Sequence, residues 1–333
     1  MEESALIDKL LGNEQVDLSS HKFCDCFSDE VKQLFFDEDT SEIMINGSGA
    51  IYIEKNGSIA QTGFFAGEEQ IQRFLDVVSR ANSRNIDFNH PIFDGRLLGG
   101  FRCNVVVPPV SLTGVVITVR KHSSKIRAFS ELVDRGMMTH ENSLLLQKAI
   151  ENKENIIIAG GTGTGKTTLV NVMFNSIGSS LDRVITIEDT AELRLDLPHV
   201  ISLESRFATP DCPVEVGIRD LVKTALRMRP DRIIIGEVRG EEAYDLLHAI
   251  NTGHKGTVCT IHANSCRDAL RRLETLAILG HANLDILVPR SWIASNIDMV
   301  AYIEREGSKR RLKELKKIEG VEGGNYVLCD LIQ

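Results

Sequence analysis

The chain has 333 residues and a net charge of −9, and 42% of its residues are hydrophobic and 26% are charged. This length is typical of two domains with sizeable cores, and the composition is ordinary for a globular protein. The acidic balance argues against a dedicated nucleic-acid binder, and an aromatic fraction of 5% argues against single-strand binding by base stacking. The sequence therefore carries no direct nucleic-acid signature, although a local basic patch stays open.

The seven cysteines are scattered and form no CxxC pair, which favours reduced thiols over a disulfide framework or a zinc ribbon. No apolar run reaches the length of a transmembrane helix, and the N-terminal stretch MEESALIDKL lacks the pattern of a signal peptide. We therefore predict a cytoplasmic protein whose association with a membrane is peripheral and comes through its partners.

Residues 1–120 are predicted to form a small α+β domain, with residues 1–40 as a helical lead-in. Short runs from SEIMING to SIAQTG end in Asn-Gly and Gly turns and are typical of hairpin strands. The stretch EEQIQRFLDVVSRANSR has helical periodicity, and FRCNVVVPP and TGVVITVRK predict two further strands. The basic, serine-containing segment KHSSKIRAFS predicts a linker over residues 121–135.

Residues 136–333 alternate between short β-branched runs and amphipathic helical stretches. NIIIAG, RVITIED, DRIIIGE and TVCTIH are predicted strands, and a predicted helix follows each of them. This alternation favours an α/β fold with a mainly parallel sheet covered on both faces. A tail from about residue 301 holds strand-like pieces around REGSKRRLKELKK, and such a basic segment is more often a solvated face than a binding patch.

The stretch GGTGTGKT, residues 160–167, matches G-x-x-x-x-G-K-[ST] between a predicted strand and a predicted helix. Glycines allow backbone N–H groups to converge on phosphate oxygens, Lys166 can reach the β- and γ-phosphates, and the Thr167 hydroxyl can bind Mg²⁺. The residues that we predict to bind the nucleotide are Gly160, Gly161, Thr162, Gly163, Thr164, Gly165, Lys166, Thr167 and Thr168.

Polar residues follow the other predicted strands: Glu188 and Asp189, Glu237, and His262. Since ligands of open parallel sheets bind outside the carboxyl ends of the strands, these side chains are predicted to meet the phosphate loop. Glu237 suits a water-positioning or general-base role, because its strand is expected beside the strand of the phosphate loop. Glu188 suits an outer-sphere contact to Mg²⁺ or water. The alternative for each carboxylate is a charge at the start of the next helix.

The stretch TGHKGTVCTIHANS contains Cys259 between two histidines. A metal site is disfavoured, because Cys259 and His262 have an odd offset on one strand and point to opposite faces. His262 suits sensing of the γ-phosphate or orientation of Glu237, and a structural histidine is the alternative. His254, in a glycine-flanked turn, is either part of the site or a turn or subunit-contact residue.

Three arginines of the N-terminal domain are candidates for a charge that stabilises the γ-phosphate: Arg96, Arg102 and Arg120. Spacing alone makes each of them more often an ordinary surface arginine. From the residues alone, a P-loop kinase, a nucleotide switch or a RecA-type DNA motor stays open beside a mechanochemical ATPase.

Several segments resemble, in order and spacing, those of the type II/type IV secretion traffic ATPases. GGTGTGKTTL, ITIEDTAEL, LRMRPDRIIIGEVRG and TGHKGTVCTIHANS are similar to the Walker A, Asp-box, Walker B and His-box segments of that family. RLLGGFRCNVVVPPVSLTGVVITVRK resembles the end of its N-terminal domain, and the likeness extends over about residues 40–333. The CpaF and conjugative TrbB-type branch is the most similar, since the tetracysteine zinc element of other branches is absent.

The resemblance implies a RecA-like P-loop ATPase domain after a smaller N-terminal domain, with ATP and Mg²⁺ bound between the two. It further implies a homohexameric ring at the inner membrane that drives substrate export, conjugative transfer or pilus assembly. The implied partners are secretion or pilus platform proteins of that membrane. Which substrate is moved is not part of the expectation, because the same ATP site serves all three processes.

By motif matching, the resemblance also implies roles for individual residues. Arg102 and Arg120 match arginines of the N-terminal domain that reach the nucleotide phosphates. The residues with implied catalytic roles are Glu237 as the catalytic glutamate, Glu188 as the Asp-box acid, and His254 and His262 as the His-box pair.

Overall fold

The computed structural model describes residues 23–37, 39–55, 57–82, 84–97, 101–121, 126–178, 181–206, 208, 213–281, 283–307 and 309–332. The chain divides into two compact units, Met1–Ser123 and Ser124–Gln333, and each unit has its own sheet. Residues 1–22 of the predicted helical lead-in lie outside the described residues. Within the described part of the chain, no helix has the length and apolar character needed to cross a bilayer.

The described residues of the first unit form an antiparallel sheet of six strands with two α-helices. The strand order is β3-β2-β1-β6-β5-β4. The sequence pattern did not predict β4, because Asp94 and Gly95 have low β-propensity and interrupt its apolar residues. In chain order the elements are α1 (Asp29–Phe36), β1 (Thr40–Ile45), β2 (Ala50–Lys55), β3 (Ser58–Phe65), α2 (Glu68–Asn82), β4 (Ile92–Arg96), β5 (Arg102–Val106) and β6 (Val116–Arg120).

The core of the first unit follows from strand alternation and helix periodicity. Every second side chain of β1, β5 and β6 is buried against α2, whose Phe74 and Val78 lie one turn apart. Phe23 packs edge-to-face on Phe35 with ring centroids 5.6 Å apart. This unit therefore has a hydrophobic core of its own, as an α+β domain requires.

The second unit contains a sheet in which the described strands follow the order β14-β13-β12-β7-β11-β10-β8-β9. The strands from β12 to β9 are parallel, and β13 and β14 are antiparallel. The elements are α3 (Phe129–Asp134), α4 (His140–Glu151), β7 (Ile156–Gly160), α5 (Lys166–Asn175), β8 (Val184–Glu188), β9 (Val200–Glu204), α6 (Ile218–Ala225), β10 (Arg232–Ile235), α7 (Glu242–Asn251), β11 (Val258–Ile261), α8 (Cys266–Gly280), α9 (Leu287–Asn296), β12 (Met299–Glu306), β13 (Lys309–Glu322) and β14 (Asn325–Asp330).

Helices cover both faces of this sheet, which explains the continuous apolar runs of its strands. Ile157 points to the face covered by α6, α7, α8 and α9, whereas Ile156 and Ile158 point to the face covered by α3, α4 and α5. All three side chains are at most 1% exposed. The prediction of a mainly parallel sheet covered on both faces is confirmed.

The prediction that the strand before Glu237 lies beside the phosphate-loop strand is wrong. Strand β11 lies between β7 and β10, with Cys259 paired to Ile157 on one side and to Ile235 on the other. The runs RIII and VCTI are equally short and apolar, so the sequence held no signal for their order in the sheet.

The predicted linker, residues 121–135, includes residues 122–125, which lie outside the described residues. From Phe129 onward it forms α3, and Phe129 and Leu132 are buried in the core of the second unit. The predicted tail contains β12, β13 and β14, so the basic segment around residues 305–317 is a strand hairpin that extends the large sheet. Helices α4 and α9 and strand β9 were not predicted.

Candidate active site

Four parallel strands end at one edge of the large sheet and bring candidate residues together. Strand β7 leads into the phosphate loop, β8 ends at Glu188, Glu237 follows β10, and His262 follows β11. Because the strands pair in parallel, their carboxyl ends share this edge. We call it the carboxyl edge and the opposite side of the sheet the amino edge.

The phosphate loop, residues 160–167, requires glycine at Gly160, where a Cβ would lie 2.5 Å from the carbonyl oxygen of Ile303, and at two further positions. Gly163 and Gly165 have φ angles of 70° and 99°, in the left-handed region. Thr164 is buried and its hydroxyl donates to the carbonyl of Gly161 at 2.9 Å. The loop therefore holds its backbone in a fixed bend at the amino end of α5, where the helix dipole favours an anion.

Lys166 extends back along this loop. Its Nζ donates to the carbonyls of Gly160 and Gly161 at 2.9 and 2.8 Å, and the residue is only 8% exposed. Burial lowers the pKa of Lys166, while the nearby carboxylate of Glu237 acts in the opposite direction. A buried ammonium at a helix amino end is suited to a phosphate group, since the phosphate supplies the missing negative charge.

Glu237 is held between two side chains at the carboxyl edge. Its Oε1 lies 3.0 Å from Nε2 of His262, and its Oε2 accepts from Nη2 of Arg239 at 2.6 Å. Burial acts to raise the pKa of Glu237, but Arg239, His262 and Lys166 outweigh it and hold the pKa below its usual value. The carboxylate is therefore ionised and oriented at neutral pH, as a residue that positions an attacking water must be.

Burial and the neighbouring Lys166 lower the pKa of His262, although the carboxylate of Glu237 acts against them. The imidazole is therefore neutral at pH 7, and a neutral ring with its proton on Nε2 donates to Glu237. His262 is one-third exposed, so it lies at the mouth of the site rather than in the core. The structure thus brings together the two residues that the sequence paired.

Arg239 is a functional candidate that the sequence reasoning missed. Besides its bond to Glu237, its Nη1 lies 3.4 Å from Oδ2 of Asp189, so one guanidinium links the ends of β10 and β8. A usable signal was present, because the rule that placed Glu237 at the carboxyl edge applies equally to the arginine two residues later.

Glu188 is buried and ties down the segment that follows β8. Its Oε1 accepts from the backbone N–H groups of Glu192 and Leu193 at 2.9 and 3.1 Å. The alternative of a helix-start charge does not apply, since the segment after Glu188 is irregular. Gly236 provides space for this side chain, because a Cβ there would lie 2.7 Å from Cγ of Glu188.

His254 is not brought to this edge. It precedes β11 and therefore lies at the amino edge, where its Nδ1 contacts the carbonyl of Ala249 at 3.0 Å. Strand β11 separates it from His262. The two histidines of the TGHKGTVCTIHANS stretch thus occupy opposite ends of one strand. This placement agrees better with the alternative of a turn residue for His254 than with a site shared by both histidines.

The three candidate arginines lie in the first unit, on neighbouring strands. Arg102 of β5 pairs in register with Arg96 of β4 and with Arg120 of β6, and Arg120 pairs with Glu42 of β1. Directly opposed residues on adjacent strands point to the same face. The sequence did not predict that these arginines form one row across the sheet.

The hairpin of β12 and β13 adds two more arginines that the sequence analysis placed in a solvated face. Arg310 donates from Nε to the carbonyl of Gly163 at 3.0 Å. Arg305 is its cross-strand partner, and its Nη1 lies 3.7 Å from where a Cβ on Gly163 would be. The basic segment therefore contacts the phosphate loop at this end.

A nucleotide with Mg²⁺ fits the groups present at the carboxyl edge. Thr167 and Thr168 lie half-buried in the first turn of α5, and Thr162 is exposed in the loop. Hydroxyl and carboxylate oxygens such as those of Thr167 and Glu188 are the ligands that Mg²⁺ prefers. No group of three His, Cys, Asp or Glu that could hold a metal ion occurs in the described part of the chain, so Mg²⁺ there would depend on phosphate oxygens as well.

Residues 28–303 match the family described as Type II/IV secretion system protein. The chain is 35% identical over 310 residues to the conjugal transfer protein TrbB of Rhizobium radiobacter, covering 92% of each chain. It is 33% identical over 314 residues to the type IV secretion system protein PtlH of Bordetella pertussis, covering 85% of this chain and 92% of PtlH.

The fold is similar to that of a solved structure, the pilus retraction motor PilT with bound ADP. The TM-score is 0.60 at 21% identity, covering 90% of this chain and 81% of PilT. The predicted fold class, a RecA-like P-loop domain preceded by a smaller α+β domain, is confirmed.

Proposed function

Because the chain belongs to the family of type II/IV secretion system proteins and is an ATP hydrolase of that family, we propose that it is a homohexameric motor. In this proposal ATP hydrolysis drives conjugative transfer, substrate export or pilus assembly at the inner face of the cytoplasmic membrane. The similarity to TrbB over 92% of both chains makes conjugative transfer the first of these to test. The kinase, nucleotide-switch and DNA-motor alternatives are set aside by the family membership.

The observation that carries the proposal is the contact of Glu237 with His262 on the same edge as the phosphate loop. Lys166 and the loop bind the β- and γ-phosphates, and Thr167 and Glu188 are the residues that would hold Mg²⁺. Mg²⁺ supplies charge neutralisation of the phosphates when it is bound. Glu237 orients the attacking water, and His262 keeps the carboxylate of Glu237 in place.

Partners and location are also part of the proposal. The names of TrbB and PtlH place those relatives in conjugal transfer and type IV secretion. By this likeness the partners of the chain are platform proteins of the inner membrane, and the chain associates with that membrane peripherally. The resemblance implies that Arg102 and Arg120 match arginines that act on the nucleotide phosphates, so we expect R102A and R120A to lower the hydrolysis rate more than R80A, a control at the end of α2.

The test is a mixing experiment with the Glu237→Gln variant. Light scattering with a non-hydrolysable ATP analogue gives the mass, which is expected near that of six chains. Wild-type chain is then mixed with increasing fractions of E237Q, and ATP hydrolysis is measured. A ring with coupled subunits loses activity faster than in proportion to the E237Q fraction. A mass of one chain, together with a strictly proportional loss, rules out the ring motor.

A further inference from the structure

The β12–β13 hairpin lies directly beside the phosphate loop. Ile303 of β12 pairs in parallel register with Gly160, so β12 runs alongside β7 up to the start of the loop. A Cβ on Gly160 would lie 2.5 Å from the carbonyl oxygen of Ile303, which shows how closely the two backbones approach. The residues that continue β12 beyond Ile303 therefore lie at the carboxyl edge.

Arg305 and Arg310 are directly opposed on the two strands of the hairpin. They share the face of Ile303 and Leu312, which pack in the core on the side of α5. On this face Arg310 contacts the carbonyl of Gly163, and its Cδ lies 3.3 Å from where a Cβ on Gly165 would be. Both arginines are exposed, so a ligand on the loop can reach them.

The other face of the hairpin carries its carboxylates. Glu304 and Glu306 contact Lys313, and Glu306 also contacts Arg311 at 3.7 Å. The hairpin therefore separates its charges, with carboxylate pairs on one face and two guanidinium groups towards the loop. On the loop side these guanidinium groups join the ammonium of Lys166 and the positive end of the α5 dipole.

Positive charge that converges on one side of a phosphate loop favours binding of an anion there. We propose that Arg305 and Arg310 form a second arm of the nucleotide site and bind the phosphates that ATP and ADP share. The proposal rests on the proposed function, since it places these arginines at the same nucleotide.

The position of the hairpin decides which phosphates it contacts. Strand β7 lies between β11, which leads to His262 and Glu237, and β12, which leads to Arg305. A nucleotide whose γ-phosphate faces Glu237 extends its α- and β-phosphates towards the β12 side of the loop. Arg305 and Arg310 therefore hold ADP as strongly as ATP, and they stabilise the bound state without taking part in the hydrolysis step.

The test compares R305A and R310A of the full chain with wild type by calorimetric titration. The titrants are ADP and a non-hydrolysable ATP analogue, both with Mg²⁺, and inorganic tripolyphosphate serves as a competitor. Each substitution is expected to lower the affinity for ADP and the affinity for the ATP analogue by the same factor. This factor is about tenfold, the loss expected for one charged hydrogen bond. The affinity for tripolyphosphate should fall by a similar factor.

The matched control is R311A, which removes the same charge from the same hairpin on the face that points to Glu306. It should bind both nucleotides like wild type. Unchanged affinity in R305A and R310A overturns the proposal, and so does weakening confined to the ATP analogue. If only R310A loses affinity, the proposal is wrong for Arg305, and Arg310 acts by holding the backbone of Gly163 in place. Wild-type chain that binds no nucleotide overturns the proposed function instead, so the two failures are distinct.

Discussion

The two edges of the large sheet are both rich in charged residues, but they use their charges in opposite ways. At the amino edge the charges neutralise one another within the chain. Arg232 is 3% exposed and donates to Asp182 at 2.8 Å and to the carbonyl of Ile150 at 2.6 Å. Lys153 donates to the same carboxylate of Asp182 at 2.8 Å.

Asn155 is the centre of a second group of hydrogen bonds at the amino edge. Asn155 donates its side-chain amide to the carbonyl of Asn296, accepts from the N–H of Thr257, and donates its own N–H to Asp298. These bonds join the starts of β7, β11 and β12. The amino edge therefore contains a network of bonds within the chain that stabilises the fold.

At the carboxyl edge Glu237 is paired with Arg239 and His262, but Lys166 and the amino end of α5 present positive charge at the phosphate loop. Lys166 donates to two neutral carbonyls of the loop, at 2.9 and 2.8 Å, and burial lowers its pKa. Glu237 has its pKa held low by cations around it. The difference teaches that one parallel sheet can place stability at the start of its strands and chemistry at their ends.

The largest expected effect is that of Glu237→Gln. Loss of the oriented carboxylate should lower kcat by about 10²- to 10⁴-fold, the usual contribution of a general base. Nucleotide binding and the melting temperature should stay at wild-type values, because Gln retains the size of the side chain. Single-turnover hydrolysis measures the fall in rate, and thermal unfolding measures the melting temperature. Wild-type hydrolysis by E237Q contradicts the assignment of chemistry to this edge.

Arg232→Met should show the opposite pattern at the amino edge. Removing one partner of a buried ion pair costs about 3 kcal/mol of unfolding free energy, and Asp182 loses the guanidinium of Arg232 while it keeps Lys153. Denaturant unfolding measures the loss, and kcat per folded molecule should not change. Lys223→Met, an exposed cation of α6, is the control and should cost little. A fall in kcat without a fall in stability breaks the comparison.

The pH dependence of activity in Arg239→Met tests the role of charge at the carboxyl edge. Arg239 helps to hold the pKa of Glu237 below its usual value against burial, which acts to raise it. Without Arg239 the pKa of Glu237 rises, so the acidic limb of the kcat/KM profile should move to higher pH. Activity is then lost mainly below neutral pH and approaches wild type above it.

His262 is the other titrating group at this position, so the same profile is measured in a His262→Asn background. A limb that still moves when Arg239 is replaced belongs to Glu237. A profile that is scaled down equally at all pH values would show that Arg239 positions Glu237 without setting its pKa.

Sequence reasoning located this edge because parallel strands end together, and Glu188, Glu237 and His262 each follow a recognisable apolar run. It placed β10 wrongly, because the order of strands depends on long-range packing that a strand of four residues does not encode. It passed over Arg239 and Arg310 for a different reason. An arginine after a strand is usually solvated, and only the tertiary fold shows whether a carboxylate or a phosphate loop lies within its reach.

His254 gives the smallest expected effect and the sharpest test of the two edges. The resemblance implies a catalytic role, whereas the structure places its Nδ1 on the carbonyl of Ala249 at the amino edge. An asparagine can donate the same hydrogen bond, so we expect His254→Asn to change kcat by less than about twofold, or 0.4 kcal/mol.

The matched variant is His262→Asn, which should lower kcat by about tenfold, or 1.4 kcal/mol, because Glu237 loses its partner at 3.0 Å. Equal losses in the two variants would mean that the amino edge also serves the reaction. Within one chain strand β11 keeps His254 away from Glu237, so such a loss would have to act through a neighbouring subunit. It would then disappear under conditions in which light scattering shows single chains, whereas the loss in His262→Asn would remain.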